Sequence, residues 1–116
     1  MANTFKIKTN DAMPSSAGTP LTLYTVPSNT TTVILGLMLC NVDSSQRLVD
    51  VHIESDTSDT ETNANVHAIK DAPIPAGSTL EVMAGNKVVL QTTDVLKIDC
   101  DVAAKIDATL SIMEIT

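Results

Sequence analysis

Between Leu21 and Asn41 the chain reads LTLYTVPSNTTTVILGLMLCN, and this stretch restricts the possible folds more than any other. A short β-prone run is broken at Pro27-Ser28-Asn29, and a long run that is apolar at successive positions follows. Pro27 has no N–H for a ladder, and Ser28 and Asn29 bond readily to nearby backbone, so the break is local chemistry. A strand that is apolar on both faces belongs in the middle of a packed sheet. Thr31–Asn41 is therefore expected as the central strand of an all-β domain, with Leu21–Val26 as its antiparallel hairpin partner.

The remaining segments repeat the theme. Leu48–Glu54 alternates Val49, Val51 and Ile53 against Asp50, His52 and Glu54, and Ile106–Ile115 alternates Ile106, Ala108, Leu110 and Ile112 against Asp107, Thr109 and Ser111. Val95–Cys100 is a further strand. Val66–Lys70 reads as a short edge strand, because Pro73 and Pro75 withhold donors just beyond it. Thr79–Ala84 and Lys87–Gln91 flank Gly85-Asn86, a dipeptide suited to a tight hairpin. About eight strands at turn-separated intervals, with no helical period, predict an antiparallel β-sandwich or jelly roll. The expected division is an N-terminal arm and loop over 1–20 and one sandwich domain over 21–116. In that arm Phe5 and Ile7 alternate with Lys6 and Lys8, and the Pro-, Ser- and Gly-containing segment Asp11–Pro20 separates it from the rest. All four are candidate partner-binding residues, because so small an apolar edge is best covered by an adjacent subunit to which it adds a strand.

Composition bears on partners. With 116 residues the chain holds one sandwich-sized core, and 43% of it is hydrophobic while only 2% is aromatic, one Phe and one Tyr. The ring-stacking surfaces that bind sugars and single-stranded nucleic acids cannot be assembled from so few rings. Fourteen acids against seven bases leave a net charge of -7, which repels phosphate backbones, so direct nucleic-acid binding is not expected. No apolar run approaches the roughly 20 residues of a membrane helix, and the polar start MANTFKIKTND lacks the apolar stretch of a secretory signal.

Chemistry-bearing side chains are few. Asp56, Asp59 and Glu61 share one polar loop, Ser55–Asn65, without the spacing of a calcium-binding loop. His52 and His67 have no acid or nucleophile at a telling distance in sequence and read as residues on strand faces. Cys40 and Cys100 are not in a paired spacing and read as buried thiols. Neither a nucleophile elbow nor a phosphate cradle is visible. The expectation is a protein without enzymatic activity, metal or cofactor. Charge substitutions at Leu35 and Leu110 are expected to abolish folding.

The segments TLYTVPSNTTTVILGLMLCN, VDVHI, PIPAGSTLEVMAGNKVVL and ATLSIMEIT together resemble small virion structural proteins of tailed bacteriophages, particularly phages of marine bacteria and cyanobacteria. The likeness runs from Leu21 to the C-terminus. It rests on Tyr24-x-Val26-Pro27, on the apolar strand ending in Asn41, and on the proline-to-glycine lead from Pro73 to Lys87. The resemblance implies a location in the virion, after assembly in the host cytoplasm, with the major capsid protein, other virion proteins and further copies of the chain as partners. A capsid decoration or cement protein is the first expectation. A host-binding module at a tail or fibre tip, using the loop Ser55–Asn65, is the alternative.

Overall fold

The computed structural model describes residues 2–12, 20–55, 63–83, 86–102 and 104–116. Among them the chain forms nine strands and no helix: β1 (Asn3–Asn10), β2 (Leu21–Thr25), β3 (Thr31–Asn41), β4 (Arg47–Glu54), β5 (Val66–Ile74), β6 (Thr79–Glu81), β7 (Val88–Leu90), β8 (Val95–Cys100) and β9 (Ile106–Ile115). Two antiparallel sheets result. One has the order β1-β9-β3, with β6 and β7 both on the far side of β3, and the other has the order β2-β8-β4-β5. The all-β sandwich expected from the sequence is the fold observed.

β7 pairs with Thr32–Ile34 of β3 and β6 with Met38–Cys40, so the two short strands are pieces of one interrupted strand. The expected hairpin about Gly85-Asn86 is thereby corrected: β6 and β7 line up along a common neighbour and do not pair with each other. Counted as one strand, they complete a nested set of antiparallel pairs: β1 with β9, β2 with β8, β3 with β6 and β7, β4 with β5. A long ribbon doubled on itself and rolled into two sheets is the connectivity of a jelly roll.

The same connectivity corrects the expected β2–β3 hairpin. β2 pairs with β8 in the other sheet, so the turn at Pro27–Asn29, with Asn29 at φ 55°, carries the chain from one sheet to the other. Backbone bonds from Val26 N–H to Asp94 and from Thr93 N–H to Val26 fix that crossing. The expected arm also changes status. Residues 3–10 are hydrogen-bonded along their whole length to β9 of the same chain, in a register from Asn3 with Ile115 to Asn10 with Ala108. The free edge of β9 satisfies β1 backbone donors and acceptors directly, which a sequence pattern cannot show. Within the loop that follows, residues 13–19 lie outside the described set.

Two bulges determine which side chains enter the core. A register shift between Thr22 and Tyr24 turns both Leu23 and Tyr24 inward. On β3 a shift between Ile34 and Gly36 leaves Leu35 as the extra residue, so Ile34, Leu37 and Leu39 all face inward despite their uneven spacing. The carboxylate of Glu81 sits against this bulge, accepting the Leu37 N–H at 3.1 Å and the Met83 N–H at 3.3 Å, while Val82 N–H donates to the Leu37 carbonyl. The run VILGLMLC is apolar at both parities partly because the bulge changes the parity. It does not mean that both faces are covered: Leu35 is 37% exposed, and Met38 is exposed as well.

The interior is aliphatic. Ile34, Leu37, Leu96, Ile98, Leu110 and Ile112 are fully buried, each contributing roughly 1.5–3 kcal/mol by removal from water. The alternations read in Leu48–Glu54 and Ile106–Ile112 hold, with Val49, Val51, Ile106 and Leu110 inside. Asn41 is a buried polar exception. Its Nδ2 donates to the carbonyls of Ile74 and Ser45, both at 2.9 Å, and its Oδ1 accepts the Asp43 N–H at 2.9 Å. One amide thus ties β3 to the end of β5 in the opposite sheet and orders the turn into β4.

Candidate functional site

The four residues singled out on β1 separate by face. Register places Phe5 opposite Met113 and Ile7 opposite Ser111, on the outer surface of the β1-β9-β3 sheet, where they are 71% and 65% exposed. Lys6 and Lys8 lie opposite Ile112 and Leu110, whose side chains enter the core, so the two lysines hang at the inner edge of the sandwich. Lys6 is engaged within the chain: its Nζ is 2.8 Å from Glu114 Oε1.

Glu114 is the centre of a network that the sequence reading did not single out. It is buried at the inner face of β9, and its second carboxylate oxygen accepts the Tyr24 hydroxyl hydrogen from the opposite sheet. The Tyr24 oxygen is 2.8 Å from Thr32 Oγ1. Since the single phenolic hydrogen goes to Glu114, the Thr32 hydroxyl is the donor in that contact. Lys6, Glu114, Tyr24 and Thr32 therefore link β1, β9, β2 and β3. The signal was present in the alternation: continuing the inward set from Ile112 puts Glu114 inside, where a carboxylate needs partners. The Lys6 ammonium and the Tyr24 hydrogen bond hold the Glu114 carboxyl below its ordinary range against the effect of burial. Burial, reinforced by the Glu114 hydrogen bond, pushes the Tyr24 phenol up to about 12.

The outer face of the other sheet is polar. Asp50 lies opposite Asp99, and His52 opposite both Lys97 and His67. The two imidazoles, distant in sequence, meet at a tilt of 48° with centroids 4.3 Å apart. Lys97 pairs with Glu54 at 3.0 Å. Burial raises the Asp99 carboxyl, with the Asp50 charge adding to the effect and the accepted Cys100 N–H opposing it. A small depression of about 60 Å³ is lined by Asp50, Asp71, Asp99 and Asp101 together with Leu48 and Cys100. Among the described residues no group of three or more His, Cys, Asp or Glu side chains is arranged to hold a metal ion. Asp56, Asp59 and Glu61 lie outside the described residues.

The cysteines differ. Cys100 is buried and its thiol is raised, chiefly by that burial, whereas Cys40 on β3 is only half-buried, which corrects the expectation of two buried thiols. Both are free and stand in different sheets. In native protein a thiol-alkylating reagent should label Cys40 well before Cys100, and denaturant should remove the difference. Timed mass spectrometry of the adducts measures it; equal native rates would contradict the burial assignment.

Compared with known proteins, the chain matches no family model and no curated protein sequence. What the geometry defines is a class of molecule: a jelly-roll β-sandwich with one charged outer face and one apolar outer face.

Proposed function

We propose that the chain is a non-enzymatic structural protein of a tailed-bacteriophage virion, a decoration or cement subunit that binds the major capsid protein and stabilises the shell. The observation that carries this reading is the jelly-roll connectivity, an architecture that viral capsid domains use, here by analogy of fold. The segments that resemble phage virion proteins supply its joints. Tyr24-x-Val26-Pro27 makes the crossing between sheets, Asn41 ties those sheets together, and the stretch from Pro73 to Lys87 contains the end of β5 and the short edge strand β6. A subunit of this kind works by presenting surface, and the exposed Phe5 and Ile7 contribute to the surface on offer.

The test is stoichiometry in purified particles, by quantitative mass spectrometry together with micrographs of particles labelled on this protein. A shell component is expected on the order of hundreds of copies, as the repetition of symmetric capsid sites requires. A few copies to tens, with label at the tail, would move the assignment to the host-binding alternative. Absence from purified particles would remove both.

A further inference from the structure

The outer surface of the β1-β9-β3-β7 sheet carries a continuous apolar row. Register aligns Phe5 with Met113, Met113 with Val33, and Val33 with Val89, so four strands contribute one side chain each to a single line. Ile7 and the bulged Leu35 flank that row. Five of the eight large hydrophobic side chains exposed among the described residues are Phe5, Ile7, Leu35, Met38 and Val89 of this one sheet, with Val89 59% exposed. A concentration of this kind marks a contact surface, whereas singly scattered apolar residues do not.

We infer that this face is closed by a second copy of the chain, packed face to face across a two-fold axis. Charge favours that occupant. In a chain of net charge -7, the cross-strand rows through Ile115, Met113 and Ser111 contain no ionisable side chain, and Glu81 and Asp107 enter only in the rows beyond, at one end. A charged partner would find no complement in those rows and would be matched better by the outer face of the other sheet, where Asp50, Lys97 and Glu54 lie. An identical uncharged face is self-complementary, as an isologous contact requires. With the axis near the Met113 row, the acidic end of each copy projects past its partner.

Size also fits. Four strand positions at about 4.8 Å and the five residues spanned by the three uncharged rows, at about 3.3 Å each, give roughly 19 by 17 Å, about 320 Å² in projection. Side-chain relief and a polar rim enlarge this, and an area below the roughly 600–1,000 Å² per partner of standard stable complexes suits a weak, micromolar association. The inference does not depend on the virion assignment, because it concerns the purified chain in solution.

Sedimentation equilibrium and light scattering of the full chain from about 1 to 200 μM should give the mass of two copies, with a dissociation constant in the micromolar range. Phe5→Lys and Val89→Lys should each weaken association at least tenfold while leaving the circular dichroism and the cooperative melt intact. Each makes the net charge less negative, so loss of the dimer could not be assigned to general repulsion. Val66→Lys, the same kind of change at a 51% exposed position of the other sheet, should leave the dimer unaffected. A monomer throughout the range, a larger assembly, association unchanged in Phe5→Lys and Val89→Lys, or equal disruption by Val66→Lys would overturn the inference.

Discussion

Leu110→Asp should yield no cooperatively folded protein. Leu110 is fully buried on β9, paired in register with Leu37 on β3 and with Lys8 at the edge of the sheet on β1, and an aspartate there would bring a carboxylate in among the aliphatic side chains of the core. An unpaired buried charge costs several kcal/mol, a large part of the about 5–15 kcal/mol that holds a domain together. Leu110→Ala, which leaves a cavity without adding charge, should lose about 2–5 kcal/mol and remain measurable by denaturant titration. Leu35→Asp separates the structure from the pattern: it abolishes folding if both faces of β3 are buried. Because Leu35 bulges onto the outer face, the variant should stay folded and lose less than about 1 kcal/mol, measured in dilute solution where copies are apart.

The second large effect lies in the buried polar network. Glu114→Ala removes the charged acceptor of the buried Tyr24 hydroxyl and the partner of the half-exposed Lys6, and should cost about 1.5–3 kcal/mol. Tyr24→Phe, which leaves Glu114 with Lys6 alone, should cost about 1.5–3 kcal/mol. The double variant should lose less than the sum, since both changes remove the same contact. The pH dependence has two limbs. Glu114 titrates lower in the folded chain than its ordinary 4.5, so its contribution is present above that value and is lost as pH falls below it. Tyr24 titrates higher when folded, so its contribution is present below the ordinary 10.0 and is lost as pH rises from there towards about 12. Asp99, raised by burial, acts in the opposite sense to Glu114 and partly offsets the acid limb. Melting temperature against pH should show a Glu114 component that Glu114→Gln removes; identical acid limbs in parent and variant would exclude the network as its origin.

Much of the architecture was legible because period-two alternation and turn chemistry act locally. β8 and β9 have the bounds the pattern gave, β4 agrees to one residue, and the inward positions Val49, Val51, Ile106 and Leu110 follow from alternation alone. Pairing was not legible in the same way. Pro27–Asn29 announces a turn, but nothing in those residues says whether the chain returns beside itself or crosses to another sheet. Gly85-Asn86 is hairpin chemistry, yet β6 and β7 both find the edge of β3, where Glu81 fills the gap made by a bulge 45 residues earlier in the chain, at Gly36. The candidate residues on β1 were divided by a register that only β9 defines: Phe5 and Ile7 to the outer face, Lys6 to Glu114. His52 and His67 meet for the same reason. Partners distant along the chain are set by topology, and a single sequence records topology weakly.

The doubled ribbon also sets an order of events in time. Its innermost pair begins where Ile53 meets Val66, 13 positions apart, and its outermost pair joins Asn3 to Ile115, 112 positions apart. Closing the larger loop in an unfolded chain costs about 2 kcal/mol more than closing the smaller, so pairing should start at β4–β5 and proceed outward through β3 and β8. Of the nine strands β1 leaves the ribosome first, but it has no partner until β9, the last of the nine, has emerged. Throughout synthesis its apolar edge, Phe5 and Ile7, is left to solvent or to other nascent chains, and Lys6 and Lys8 beside it supply the charge that keeps such an edge from premature pairing.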